Sequence, residues 1–596
     1  MIYFDSKNRN DKKPFGAVSQ NTELFLHIKV TEGRLMQSAF LVVAKDKEEE
    51  LFIQGTGETG DSGDEHFYFT WRPDEIGLYF YYFLVRDGDG NTEQTDRFQI
   101  TIYKRNFETP AWLKGGIMYQ IFPDRFARSL SYLPPIINKE YVLREDWGGM
   151  PYYLPDEQGI VRNHDFFGGN LCGITEKLDY FLQLGVTVLY LNPIFEAYSN
   201  HRYDTADYKK IDPMLGTEED FVNLCREAES RGIRMILDGV FNHTGSDSIY
   251  FNKSGRYPEV GAYQSKDSKY SSWYTFLEYP EVYEAWWGID TLPSVRETDP
   301  SFLDYIIRDE NSVINHWLHC GASGYRLDVA DELPDLFLEE LRTTVKINDR
   351  EGAVIGEVWE DASNKISYGQ RRKYLLGDQL DSVMNYPLKD ALIDYLIYEK
   401  NGLKLESLID NLWENYPKPV FTALMNILGT HDTPRIRTLL TESCADEFEA
   451  RQRLFLALLI QFFLPGIPCI YYGDEWGMQG GRDPFNRQCF NEKTGDQETF
   501  RFYKRLIAFR KRISGLRELE YQPRYSEGSF YSFYRMGERE RMVIAVNSGS
   551  EDHILDFTLT NQERLKDFFI SGSVSFETDH SFRIKANSGI AVYIGS

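Results

Sequence analysis

Four apolar runs in this chain each end in side chains that can move protons or attack carbon. The run "ILDGVFNH" delivers Asp238, Asn242 and His243, and "GYRLDVADE" delivers Arg326 and Asp328. Further on, "AVIGEVWE" delivers Glu357 and "MNILGTHD" delivers His431 and Asp432. A carboxyl pair such as Asp328 and Glu357 is the minimum equipment for hydrolysing a glycosidic bond, and a separation of about 5 Å sets a retaining course through a covalent intermediate. Arg326 and Asp328 lie two positions apart, so they share one face of a strand. Their neighbours predict burial, where charges are costly unless paired or put to use. Taken singly, each carboxylate reads more readily as a helix cap or a surface ion pair, and each histidine as a satisfied core residue. Four strand ends carrying such groups together reverse that reading.

The elements that must position these groups alternate strand and helix from about residue 109 to 518. Eight apolar runs, most followed by a helical pattern, predict a parallel sheet closed into a (β/α)8 TIM barrel, whose reactive groups gather at the C-terminal ends of its strands. The spacing from Asp328 to Glu357 (357 − 328 = 29 residues) matches one βαβ step of roughly 30 and predicts neighbouring strands. In "ITEKLDYFLQLG" the positions Ile174, Leu178, Phe181 and Leu182 predict one buried helical face. The aromatic-rich stretch at about 244–298 predicts a subdomain inserted after the third strand. Residues 1–108 and 519–596 carry short strands between turn clusters, which predicts antiparallel β-sandwich domains on both flanks.

Composition narrows the function. The 596 residues exceed one ordinary core, and 42% hydrophobic with 15% aromatic residues predicts well-packed globular units. A net charge of −26 opposes a polyanionic partner, so no nucleic acid is expected. The most apolar run, from Leu454, is broken by Gln461 and a Pro-Gly pair and reads as a core helix followed by a buried strand, so no membrane span is expected. The start lacks a signal-peptide core, and the six cysteines show neither a CxxC pair nor an evident ligand spacing. Both point to a cytoplasmic protein with reduced thiols.

These segments resemble the α-amylase family, glycoside hydrolase family 13. The strand-end motifs "DGVFNH" (238–243), "GYRLDVADE" (324–332), "GEVWE" (356–360) and "GTHDTPR" (429–435) occur in the family's order. The resemblance implies Asp328 as nucleophile, Glu357 as general acid and then base, and Asp432 as the carboxylate gripping sugar hydroxyls. It further implies substrate-binding roles for His243 and His431, for His201 and Tyr203 in "NHRYDTADY", and for Asp483 and Arg487 in "GGRDPFNR", with Asp238 and Arg326 organising the site. Trp359 is a candidate stacking platform for the leaving-side sugar. Within the family the chain looks most like the neopullulanase, cyclomaltodextrinase and amylopullulanase group, whose members cleave α-1,4 links in pullulan, cyclodextrins or maltooligosaccharides, some also α-1,6 links. The implied activity is retaining α-glucan hydrolysis. The alternatives are an α-glucan transglycosylase and, from another class, a non-catalytic glucan-binding subunit. The N-terminal domain is expected to bind starch or to serve as the arm of a homodimer. No cofactor is required; a bound calcium would use Asn242, but the family's calcium loop is replaced by "FPDRFARSLSYLPP". Asp331 departs from the group's pattern and is expected to alter leaving-side affinity, Glu332 replaces a His whose carbonyl binds calcium in relatives, and the two positions are expected to bear on substrate preference.

Overall fold

The computed structural model describes residues 1–31, 36–46, 48–60, 64–135, 140–398, 400–513, 515–560, 562–578 and 580–596. At its centre lie eight parallel strands: β1 (Met118–Ile121), β2 (Val188–Leu191), β3 (Arg234–Gly239), β4 (Gly324–Leu327), β5 (Ala353–Gly356), β6 (Ser382–Val383), β7 (Met425–Asn426) and β8 (Ile467–Tyr471). They neighbour one another in chain order, β1 pairs β8, and a parallel bridge between Met384 and Met425 joins β6 to β7. The expected barrel is therefore present and nearly closed.

The strand sequences are apolar throughout because both faces are buried. Tyr119, Leu189, Leu191, Met235, Leu237, Tyr325, Leu327 and Val354 pack into the cluster that includes the surrounding helices. The alternate residues Met118, Val188, Ile236, Ala353, Ile355, Ile467 and Cys469 fill the barrel interior. Helices close the outer layer by amphipathic faces. In Glu218–Ser230 a capping box between Thr217 and Asp220 fixes the first turn, and Phe221, Leu224, Cys225 and Ala228 form the buried stripe. The segment read as one helix from Ile174 divides into Leu171–Glu176 and Leu178–Leu184. Leu184 joins Leu178 and Phe181 in the core while Leu182, in the same helix, is exposed: steps of three centre the buried face on Phe181 and leave Leu182 about 100° from it.

Two sheets precede the barrel, built on the strands Leu24–Val30, Glu65–Trp71, Met36–Lys45, Gly77–Asp87 and Phe98–Tyr103. Their pairing is antiparallel except between Val18–Ser19 and Phe98–Tyr103, which run parallel. Leu24, Leu26, Ile28, Phe67, Phe69, Phe83 and Val85 fill the space between the sheets. Buried Lys12 pairs with Glu414 at 3.0 Å and Arg371 with Asp46 at 3.1 Å, tying these sheets to the barrel. After the barrel, antiparallel sheets built on Phe530–Met536, Glu540–Asn547, Arg564–Ser571 and Ser588–Gly595 enclose a separate core around Val543, Leu555, Phe582 and Ile590. Their inner neighbour is the helix Glu447–Phe463, whose last twelve residues are all buried. No helix among the described residues is long and apolar enough to cross a membrane.

Candidate active site

The register of β3, β4 and β5 explains how the charged groups meet. Asp238 is the direct cross-strand partner of Arg326, and Arg326 of Ile355. Beyond the last paired residues the ladder continues for one step, with Asp328 N–H donating to Gly239 O and Glu357 N–H to Leu327 O, both at 3.0 Å. Asp328 and Glu357 thus emerge side by side from adjacent strands.

Arg326 is fully buried and holds three carboxyls. Its Nη1 donates to Asp238 Oδ1 at 2.7 Å and to Asp328 Oδ1 at 2.8 Å, and its Nη2 lies 2.9 Å from Glu357 Oε2. The first two contacts are aligned hydrogen bonds. The Nη2 contact is an ion pair off the N–H direction, which leaves Nη2 without a hydrogen-bond acceptor. Glu357 Oε2 instead accepts from the Val329 N–H at 2.9 Å. That N–H is aimed by a left-handed turn: Val329 has φ +40°, a conformation that costs a β-branched residue about 1–3 kcal/mol. Glu357 Oε1 meets only a long contact in the other direction, 3.3 Å from the Trp359 indole nitrogen. Trp359 stacks one face on Tyr386, with centroids 4.0 Å apart and planes at 12°, and is 43% exposed. A half-exposed ring with one supported face is what a sugar platform needs.

One cation against several buried carboxylates leaves excess negative charge. Burial raises the affinity of Glu357 for its proton above the usual carboxyl range, Arg326 opposes this, and the charge of Asp432 adds to it. Asp328 is pushed the same way: burial outweighs Arg326, and Glu357, Asp238 and Asp432 reinforce it. Arg326 favours the ionised form of Asp328 through its better-aligned bond but does not outweigh burial. Both carboxyls are thus pushed toward holding a proton.

Asp238 is fully engaged. Its second oxygen accepts from Tyr190 OH at 2.7 Å, Tyr203 OH at 2.9 Å and Asn192 Nδ2 at 3.3 Å. Opposite it, His431 Nδ1 accepts from Gln120 Nε2 at 2.9 Å and Asn192 Nδ2 at 3.2 Å. The proton of the neutral ring must then be on Nε2, which faces Tyr203 OH and lies 3.1 Å from Asp432 Oδ2. Burial, together with Arg487 and Arg326, holds His431 well below the usual imidazole range. Burial pushes His243 down to about 4, and burial with the charge of Arg487 pushes His201 down to about 3. All three histidines are neutral hydrogen-bonding groups at working pH. His243 Nε2 lies 3.1 Å from Tyr203 O, and its ring stacks on Trp286. His201 Nδ1 accepts the Tyr203 N–H at 3.1 Å.

The loops after β7 and β8 are joined by Asn486 and Arg487. Asn486 Nδ2 donates to His431 O at 2.7 Å, and Arg487 Nε donates to the same oxygen at 2.9 Å. Arg487 also holds Asp432 at 3.3 Å and Asp483 at 3.0 Å. The candidate catalytic and sugar-binding residues thus belong to one contact network, which Trp359 joins through Glu357.

Sequence reasoning missed Gln120, Tyr190 and Asn192. They stand at the same strand ends but are neutral, whereas charge was the signal sought; Tyr190 and Asn192, two apart in "VLYLNP", could have been found by the same-face rule. Asp331 is held by Tyr374 OH at 2.7 Å and Lys365 at 3.1 Å, and Glu332 accepts from the exposed Trp287 at 3.1 Å. Asn242 contacts Glu297 at 3.2 Å and His243 at 3.2 Å. One carboxyl and one imidazole are a poor match to the six to eight oxygens calcium takes, so no calcium role is assigned to Asn242.

Residues 120–502 match the model of the α-amylase catalytic domain. The chain is similar to an amylopullulanase of Thermoanaerobacterium saccharolyticum, 37% identical over 617 residues, which cover 90% of this chain and 47% of that protein. It spans less than half of that relative's length. It is 34% identical over 459 residues to a cyclomaltodextrinase of Geobacillus thermopakistaniensis, covering 75% of this chain and 71% of that one. A solved cyclomaltodextrinase superposes with a TM-score of 0.70 at 26% identity, covering 99% of both chains.

Proposed function

The chain belongs to the α-amylase family, and on that premise we propose that it hydrolyses α-1,4-glucosidic bonds of maltooligosaccharides, cyclodextrins or pullulan with retention of configuration. The observation that carries this reading is the single guanidinium of Arg326 reaching both Asp328 and Glu357. One group spanning the two carboxyls favours the close spacing of about 5–5.5 Å that retention needs over the roughly 6.5–9.5 Å that admits a water in inverting enzymes.

In this mechanism Asp328 attacks the anomeric carbon through Oδ2, since Oδ1 is committed to Arg326. Glu357 delivers its proton from Oε1, the oxygen beside Trp359, to the departing glycosidic oxygen. Once ionised, it takes a proton from the water that cleaves the glycosyl-enzyme. Asp432, held by Arg487 and the Nε2–H of His431, grips sugar hydroxyls as the ring flattens. His201 and His243 contribute neutral hydrogen bonds, and Trp359 stacks on the leaving-side sugar.

Product analysis on pullulan tests the proposal. Panose is the expected product, from α-1,4 cleavage, and the released sugar should retain the α configuration. Release of the β anomer would overturn the retaining mechanism, and maltotriose as sole product would replace α-1,4 by α-1,6 specificity.

A further inference from the structure

Outside the cleft, the described residues contain one group with mixed nitrogen, sulfur and oxygen donors: Glu218, His316 and Cys320. His316 and Cys320 are four apart at the end of the helix Val313–His319, with Cys320 as its C-cap, so their side chains share one face. Glu218 opens the helix Glu218–Ser230, where the Thr217–Asp220 capping box fixes its backbone. His316 Nε2 lies 3.0 Å from Glu218 Oε2 and 3.9 Å from Cys320 Sγ, and the three ligand atoms lie within 4.8 Å of one another. In a tetrahedral site with bonds of about 2.0–2.3 Å, neighbouring ligand atoms stand roughly 3.3–3.6 Å apart. The two His316 contacts lie near that spacing, and the third pair is within 4.8 Å.

We propose that Glu218, His316 and Cys320 form a binding site for zinc or a similar borderline-soft divalent cation, with water as fourth ligand. The donor set selects the metal. A thiolate and an imidazole suit zinc, whereas calcium and magnesium take oxygen. As the metal–sulfur bond forms, the Cys320 thiol releases its proton to solvent. The bound ion would clip together two helices whose ligands are 98 residues apart, on the outer layer beside β3 and β4. Its effect is on the stability of the half-barrel that carries Asp238, Arg326 and Asp328, rather than on the chemistry itself.

Cobalt provides a readout specific to sulfur. The full chain, reduced and stripped of metal, should bind one equivalent of Co2+ with a thiolate-to-cobalt charge-transfer band in the near ultraviolet. Cys320→Ser should abolish that band, while Cys172→Ser, which removes another half-buried thiol beside a carboxylate, should keep it. His316→Ala should weaken binding by about tenfold or more, as expected for loss of one ligand. Zn2+ should raise the thermal midpoint of the wild type but not of Cys320→Ser. Absence of the band in the wild type, its persistence in Cys320→Ser, or unchanged affinity in His316→Ala would each overturn the site.

Discussion

The two ends of the barrel are built by the same strands and the same inward-facing alternation, yet they differ completely in chemistry. Along β1 the inward positions run from Met118 to Gln120, along β2 from Val188 through Tyr190 to Asn192, and along β3 from Ile236 to Asp238. Along β5 they run from Ala353 through Ile355 to Glu357. Two residues of rise separate dispersion packing from a network of carboxylates, amides and imidazoles. The lower end is held by contacts that any well-shaped apolar side chain can make. The upper end is held by an ion cluster that is costly to bury and still more costly to leave half-made.

The sharpest way to break this comparison is one atom at the upper end. Asp328→Asn is nearly isosteric and should lower turnover on the order of ten-thousand-fold, the scale on which nucleophile loss is felt. The thermal midpoint should stay within a few degrees of wild type or rise, because a buried carboxyl that resists ionisation has been removed. Near-normal turnover in this variant would remove Asp328 from the mechanism.

The matching change at the lower end is Ile355→Ala. Ile355 is fully buried in the interior cluster, two residues before Glu357, and truncation should cost about 2–5 kcal/mol in cavity and transfer terms. The expected result is a lower urea midpoint with kcat within a few-fold of wild type well below the transition. A large kcat loss with unchanged stability would mean that the two ends are not separable.

The smallest effect concerns a carboxyl of the upper end that takes no part in the chemistry. Burial pushes Glu297 up to about 8 from a reference value of 4.5. Its native form keeps a proton that the unfolded chain loses near 4.5, so its contribution is complete below pH 4.5 and is lost as pH rises to about 8. Glu297→Gln should flatten the fall in thermal midpoint between those limits by a few degrees. A midpoint with the same pH slope in both proteins would show that Glu297 ionises normally.

Much of this was legible in the chain. Alternating strand and helix patterns specified the barrel, because a strand buried on both faces must be apolar and a covering helix must be amphipathic. Charges at four strand ends stood out because they violate the apolar rule. Neutral groups stayed hidden: Gln120, Tyr190 and Asn192 carry no charge, so in their apolar runs they read as ordinary members of buried strands. His316 and Cys320 were overlooked because their third partner, Glu218, is remote in sequence.

The sequence by itself therefore determined which strands form and which of their ends carry charge, since both follow from local burial and a period of two. Tertiary structure alone decided how the charge is shared. Arg326 touches Asp238 and Asp328 through one nitrogen and Glu357 through the other, Val329 is turned to point its N–H at Glu357, and Asn192 links Asp238 to His431. Such assignments depend on distances between strands and loops distant in the chain, and the proton balance of a buried cluster is set by those distances rather than by the residues' identities.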